Sequence, residues 1–182
     1  EGTSALYQER TAIVPAARGT AAMQRRAIAH GAVLRDRSPV RAIVPRADGV
    51  DIVLADGTAY SAARVVVSAD AWTSQLLAPL GWDLPLTVTE EQVTYFTPAD
   101  PEPFRPGRFP VWIWMDEPSY YGFPTYGEDT VKAAQDCGGP TVTGDERSMV
   151  EDAAMRDRLG AFMSSTFPAS GPATRSKRCL YT

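Results

Sequence analysis

One lysine of this chain lies in a setting that would give its side chain a chemical role. Lys132 follows the aromatic segment Tyr120–Pro124 and a turn-forming stretch, Tyr126–Thr130, and it lies between apolar Val131 and Ala133. These segments predict a hairpin. Because side chains alternate between the two faces of a strand, Lys132 projects from the face opposite to its neighbours. That face either meets water, as for an ordinary surface lysine, or lines a pocket, where the ammonium group is a fixed positive charge.

The second candidate is Cys179, in the run Arg-Cys-Leu-Tyr-Thr of residues 178–182. Its basic neighbours Lys177 and Arg178 favour the thiolate, which is the nucleophilic form of cysteine. A lone cysteine is more often a buried and inert thiol, so the residues alone leave both interpretations open.

The lysine hairpin belongs to a segment with the pattern of a β-sheet. Alternating residues predict a strand over Thr87–Thr97, and strong β formers predict another over Val111–Met115, with a proline-rich loop between them. Residues 87–136 therefore contain at least four strands, mostly antiparallel. After them, Asp145–Thr166 is predicted to be the longest helix, with Asp145 as its cap and methionines on its buried face.

The first part of the chain combines a helix with a small meander. A helix is predicted over Thr20–His30, with Gly19 or Thr20 as its cap, Gly31 as its stop and one buried face. The strands predicted to form an antiparallel meander are Val40–Val44, Val50–Leu54 and Thr58–Ala63.

A buried strand and a second helix are predicted to follow the meander. Arg64–Ser68 contains the continuous apolar run Val65–Val67, which indicates a strand buried on both faces. Ala71–Leu80 is predicted to be helical, with Asp70 as its candidate cap. Together these elements predict an α+β fold for the chain.

The composition restricts the class of protein. With 182 residues, 44% of them apolar, the chain is long enough for one domain or for parts of two. Its net charge of −4 gives no electrostatic reason to expect nucleic acid or an anionic membrane as a partner. No apolar run approaches the roughly 18 residues of a membrane span, and no signal peptide opens the chain. We therefore expect a cytoplasmic protein.

Cysteine and histidine are scarce. Two cysteines and one histidine are too few for a convincing zinc site, so no metal is expected. Cys137 and Cys179 could pair in a disulfide, although nothing suggests a secreted, disulfide-built scaffold.

Three segments together resemble the monomeric sarcosine oxidase and N-methyltryptophan oxidase family of FAD-dependent amine oxidases. The first is Tyr-Tyr-Gly-Phe-Pro at residues 120–124, with a lysine eight residues after the proline. The second is Cys-Leu-Tyr-Thr at residues 179–182, and the third is Val-Val-Val-Ser-Ala-Asp-Ala-Trp at residues 65–72. The resemblance runs through most of the chain from about residue 10.

The resemblance implies a division of the chain between two domains of an enzyme that is α/β overall. Residues 1–80 would be part of an FAD-binding domain, residues 81–170 a substrate-binding β-sheet domain, and residues 171–182 a strand returning to the FAD domain. The family's N-terminal glycine-rich FAD segment and its C-terminal segment have no counterpart in the sequence. We therefore expect an internal fragment that does not hold FAD tightly by itself.

The resemblance also implies roles for site residues. Cys179 would form a thioether to the flavin ring. Lys132 would lie near flavin N5, through a water, and would stabilise the superoxide formed when oxygen is reduced. Tyr121 and Tyr181 would line the amine pocket.

Four further residues are implied to contact FAD. Val40 would contact the adenine ring through its backbone, although on the residues alone it is a plain core residue. Ala69, Asp70 and Trp72 would form the turn close to the cofactor. Asp70 departs from the glycine of the family pattern, and its negative charge is unfavourable near a pyrophosphate.

Asp136 is a second departure, because the family usually has histidine four residues after the lysine. An aspartate cannot help to bind a substrate carboxylate, so Asp136 favours a cationic or neutral substrate. The implied reaction is hydride transfer from a secondary or cyclic amine, or an N-methyl amino acid, to FAD, with molecular oxygen reduced to hydrogen peroxide. The alternatives are a flavin-dependent amine dehydrogenase that does not use oxygen and a non-catalytic relic of this fold.

Overall fold

A computed structural model describes residues 4–182 of the chain. They form two compact units that divide between Ala63 and Arg64. Both units combine helix or helical turns with antiparallel strands, which confirms the predicted α+β class. The predicted domain boundaries after residues 80 and 170 stay predictions, since compactness does not test which residues belong to a cofactor domain.

The first unit contains one helix and a three-stranded sheet. Its elements are α1 (Ala16–Ala29), β1 (Val40–Arg46), β2 (Gly49–Leu54) and β3 (Ala59–Ala62). The strands pair antiparallel in the order β1-β2-β3, which confirms the predicted meander.

Helix α1 differs from its prediction at one end and on one face. It begins four residues before Thr20, at Ala16, because Pro15 has a fixed φ near −70° and provides the N-cap. Gly31 adopts a φ of +88° and ends the helix as predicted. The predicted buried face is wrong, because Met23 and Ile28 are exposed.

The second unit is built on a five-stranded sheet. Its main elements are α2 (Thr73–Leu77), β4 (Thr89–Phe96), β5 (Trp112–Trp114), β6 (Tyr120–Phe123), β7 (Val131–Gln135), α3 (Ala153–Thr166) and β8 (Ala173–Tyr181). The strand order is β5-β6-β7-β4-β8, and every neighbouring pair is antiparallel. This confirms the four strands predicted over residues 87–136 and the hairpin that carries Lys132. None of the helices described in residues 4–182 is long and apolar enough to cross a membrane.

Helix α3 covers one face of this sheet. The core cluster joins the buried helix residues Leu159 and Met163 to Phe96, Tyr120, Val131 and Ala133 of the strands. The helix begins at Ala153 and not at the predicted Asp145. Asp152 provides the cap, because its Oδ1 accepts a hydrogen bond from the Met155 N–H at 3.0 Å.

Asp145 is used elsewhere in the structure. Its Oδ1 accepts a hydrogen bond from Trp72 Nε1 at 2.8 Å, and its Oδ2 accepts one from Gln75 Nε2 at 3.4 Å. Because the Asp145 carboxylate is hydrogen-bonded to Trp72, it does not cap a helix starting at residue 145.

Two predictions for residues 64–80 are wrong. Residues 64–68 form no strand and Val66 is 90% exposed, since no described strand lies beside this run to supply hydrogen-bond partners. The predicted helix over residues 71–80 is split into the 3₁₀ turn Asp70–Trp72, α2 and the 3₁₀ turn Ala78–Leu80. Pro79 has no N–H to continue an α-helix, and no side chain caps the first turn.

Candidate active site on one face of the sheet

Four of the predicted site residues project from the sheet face opposite to α3. We call this the site face and define it by Tyr121, Lys132, Cys179 and Tyr181. All four side chains are half-buried. Val131 and Ala133, on either side of Lys132, are 0% exposed in the core, which confirms the predicted alternation.

The two tyrosines of the site face meet by their hydroxyl groups. Tyr121 on β6 and Tyr181 on β8 lie on opposite sides of β7 and β4, yet their Oη atoms are 2.9 Å apart. Burial raises the pKa of both phenols above the ordinary value. Both hydroxyls therefore stay protonated at neutral pH and can donate and accept hydrogen bonds.

Lys132 has an aromatic neighbour on the site face. It is the cross-strand partner of Tyr95 on β4 and Phe123 on β6, and its Nζ lies 5.0 Å from the centroid of the Phe123 ring. Burial lowers the pKa of Lys132, and Lys177 lowers it further, whereas Cys179 raises it. Within residues 4–182, no carboxylate forms an ion pair with this ammonium group.

Cys179 is a free thiol and does not have the low pKa that its basic neighbours suggest. Burial and the Glu91 carboxylate raise the pKa of Cys179, and they outweigh Lys132 and Arg178, which lower it. The thiol is therefore less ionised than the sequence predicts. Cys137 is also free, so the two cysteines form no disulfide.

Arg178 points to the face of the sheet that α3 covers, where it forms an ion pair. Its Nη2 lies 2.9 Å from Glu90 Oε2, and the two side chains are only 6% and 4% exposed. Asp152 Oδ2 lies 3.9 Å from Arg178 Nη1. This buried ion pair joins β8 to β4 on the face that α3 covers, so its role is structural.

Asp136 lies two residues after Ala134, the cross-strand partner of Tyr121. It follows the last residue of β7, is exposed, and donates its backbone N–H to Ser119 O at 2.9 Å. Its negative charge contributes to the raised pKa of Tyr121 and of Tyr181. The structure therefore brings Tyr121 and Tyr181 into contact, and the Asp136 charge is close enough to act on both hydroxyls.

Sequence reasoning missed Glu91, the cross-strand partner of Cys179. Glu91 is 1% exposed, and its carboxylate accepts hydrogen bonds from Thr89 Oγ1 at 2.7 Å, Gly139 N–H at 3.0 Å and Gly138 N–H at 3.3 Å. The signal in the sequence was the pair of glutamates at residues 90 and 91, inside the strand predicted over Thr87–Thr97. Its two side chains go to opposite faces, and only the tertiary structure shows what each one contacts.

Of the residues predicted to contact a cofactor, Asp70 reaches the end of β8. Asp70 has a φ of +46°, a conformation that favours glycine and tolerates aspartate. Its Oδ1 accepts a hydrogen bond from Thr182 Oγ1 at 2.6 Å. Trp72 bonds Asp145 as described above, and Ala69 precedes Asp70. Val40 begins β1 in the first unit.

The chain matches a known protein family over nearly its whole length. The sequence pattern of the DAO family, described as FAD dependent oxidoreductase, matches residues 2–182. The monomeric sarcosine oxidase of Streptomyces avermitilis is 35% identical over 124 residues, which are 66% of this chain and 32% of that protein. The N-methyl-L-tryptophan oxidase of Yersinia pestis is 32% identical over 155 residues, 79% of this chain and 38% of that protein.

A solved structure shares the architecture. The open form of NikD, an unusual amino acid oxidase essential for nikkomycin biosynthesis, superposes with a TM-score of 0.76 at 29% identity. The superposition covers 90% of this chain and 43% of NikD. The chain thus spans about a third to two fifths of the length of the relatives it matches.

Proposed function

This chain belongs to the DAO family of FAD-dependent oxidoreductases, and from that premise we propose that the protein containing it oxidises the C–N bond of a small amine. The substrate is a secondary or cyclic amine or an N-methyl amino acid, and the products are an imine and hydrogen peroxide. The observation that carries the proposal is the convergence of a lysine, a cysteine and a tyrosine pair on the site face.

The residues of the site face fit a flavin. Cys179 is a half-buried, unpaired thiol that can form a thioether, and Lys132 is an ammonium group without a described ion-pair partner. When bound, FAD supplies the hydride acceptor and the reduction of oxygen. We assign Cys179 to attachment of the ring and Lys132 to a fixed positive charge where oxygen gains electrons.

The contacts to the rest of FAD are assigned to residues outside the site face. We propose that these contacts are made by Val40, Ala69, Asp70 and Trp72. The carboxylate of Asp70 is bound by the Thr182 hydroxyl, which gives its negative charge a partner within the chain and reduces the conflict with a pyrophosphate.

The substrate amine is assigned to the tyrosine pair and Asp136. The protonated hydroxyls of Tyr121 and Tyr181 can accept a hydrogen bond from an ammonium group and donate one to an amine nitrogen. The nearby Asp136 carboxylate attracts a positive charge and repels a carboxylate. This arrangement supports a cationic or neutral amine over an amino acid substrate.

The test is oxygen consumption by the full-length protein with a panel of cyclic amines, secondary amines and N-methyl amino acids. We expect amine-dependent oxygen uptake with an equal amount of peroxide. Lys132→Met is expected to lower the rate of reaction with oxygen by about 10²-fold. Lys177→Met removes an exposed lysine of the same face and is the matched control, with an unchanged oxygen rate.

Three results separate this function from its alternatives. Amine oxidation that proceeds with an artificial electron acceptor but without oxygen uptake identifies a dehydrogenase. A flavin-free full-length protein with no amine oxidation identifies a non-catalytic relative. An oxygen rate that is the same in Lys132→Met and wild type contradicts the role assigned to Lys132.

A further inference from the structure

Glu91 is a buried carboxylate on the side of the sheet that carries the candidate active site, yet the proposed reaction gives it no role. Its side chain is bound by the hydroxyl of Thr89 and by the backbone N–H groups of Gly138 and Gly139. At 1% exposure it cannot contact a substrate directly. Besides its electrostatic effect on Cys179, Glu91 can act on the site through the groups that it binds.

Two of the three groups that Glu91 binds, the N–H groups of Gly138 and Gly139, belong to the turn that leaves β7. This turn, residues 136–139, begins one residue after the end of the strand that carries Lys132. Pro140 O then accepts the Glu90 N–H at 3.0 Å, so the end of the turn is also fixed along β4. A Cβ on Gly139 would lie 2.0 Å from Glu90 O, which leaves no room for another residue there. The turn is held in direct contact with β4.

Asp136 is the first residue of this turn. Its backbone N–H bonds Ser119 O on one side, and the Glu91 bonds hold Gly138 and Gly139 on the other. Cys137 between them has a φ of +53°, a conformation costly for cysteine that persists only where the surroundings impose it. The position of the Asp136 carboxylate therefore depends on how firmly the turn is held.

We propose that Glu91 is a positioning residue that holds the turn of residues 136–139 and thereby fixes the Asp136 carboxylate close enough to act on the hydroxyls of Tyr121 and Tyr181. In this way Glu91 sets the preference of the site for cationic over carboxylate-bearing amines. The statement about preference rests on the proposed function, whereas the statement about the turn does not.

The test compares three variants of the full-length protein by hydrogen–deuterium exchange and by steady-state kinetics. Glu91→Ala removes all three hydrogen bonds, and Glu91→Gln keeps an acceptor oxygen at the same length without the charge. Gln92→Ala is the matched control, because Gln92 is also buried on the same strand, at 3% exposure, but points to the other face. There it exchanges two hydrogen bonds with the backbone of Asp152.

In Glu91→Ala, peptides containing residues 136–139 should exchange about five- to tenfold faster, as expected for lost hydrogen bonds. The ratio of kcat/KM for a cationic cyclic amine to kcat/KM for an N-methyl amino acid should fall by the same factor as in Asp136→Asn. Adding Glu91→Ala to Asp136→Asn should change that ratio no further. Glu91→Gln should stay within about twofold of wild type, and Gln92→Ala should change neither quantity.

Two results overturn the proposal. One is unchanged exchange of residues 136–139 in Glu91→Ala. The other is faster exchange with an unchanged kcat/KM ratio, which would mean that Glu91 supports the structure only. If the wild-type protein oxidises no amine, the proposed function fails, and the exchange rates still decide whether Glu91 holds the turn.

Discussion

Adjacent residues of one strand have different roles on the two faces of the five-stranded sheet. On the covered face, Val131 and Ala133 pack in the core under α3, and Arg178 forms a buried ion pair. On the site face, Lys132 and Cys179 lie half-buried beside the tyrosine pair. The alternation of a β-strand thus assigns neighbouring residues to stability on one face and to chemistry on the other.

The largest effect on stability is expected when the buried ion pair on the face covered by α3 is broken. Arg178→Met leaves the Glu90 carboxylate buried without its partner, which should cost about 3–5 kcal/mol of unfolding free energy. Cys179→Ser, one residue away on the site face, should cost under about 1 kcal/mol. Urea denaturation of the full-length variants measures both.

A double variant separates the ion pair from the packing around it. Glu90→Leu combined with Arg178→Met replaces both charges with apolar groups and should recover most of the loss. If Arg178→Met and Cys179→Ser destabilise equally, the contrast between the two faces is wrong.

A smaller effect is expected at the helix that covers one face. Asp152→Ala removes the cap of α3 and should cost about 1 kcal/mol at neutral pH. The hydrogen bond from the Met155 backbone N–H lowers the pKa of Asp152 in the folded protein. The stabilisation is therefore complete above the unfolded pKa, about 3.9, and is lost as the pH falls through the lower folded value.

The measurement for Asp152 is the difference in unfolding free energy between wild type and Asp152→Ala at several pH values. The difference should shrink below about pH 4. A difference that grows as the pH falls would contradict the assignment of Asp152 as an ionised cap.

The smallest effect is expected in the ionisation of the site-face thiol. Burial and Glu91 raise the pKa of Cys179, and the positive charge of Lys132 opposes them. In full-length protein prepared without flavin, on a Cys137→Ser background, Lys132→Met should shift the pH profile of iodoacetamide alkylation to higher pH. Glu91→Gln should shift it to lower pH. Shifts in the reverse directions would contradict the described charge environment.

The sequence was sufficient where local pattern decides the structure. The alternation around Lys132 predicted its face, the turn of residues 126–130 predicted the hairpin, and the meander followed from its turns. These features depend on neighbours in sequence, so no tertiary information was needed.

The sequence was insufficient where a distant partner decides the structure. Asp145 failed as a cap because Trp72 holds it, and residues 64–68 formed no strand because none of the described strands pairs with them. The role of Glu91 depends on the turn at Gly138 and Gly139, 47 and 48 residues away along the chain. The spacing of apolar and polar residues along the chain does not indicate such long-range contacts.

The most direct test of the central claim, that the site face carries a flavin, is the mass of the Cys179 peptide from the denatured full-length protein. We expect a peptide that carries the mass of a flavin, and we expect this added mass to be absent in Cys179→Ser. A full-length protein that binds no flavin, with an unmodified Cys179 peptide, would contradict the claim.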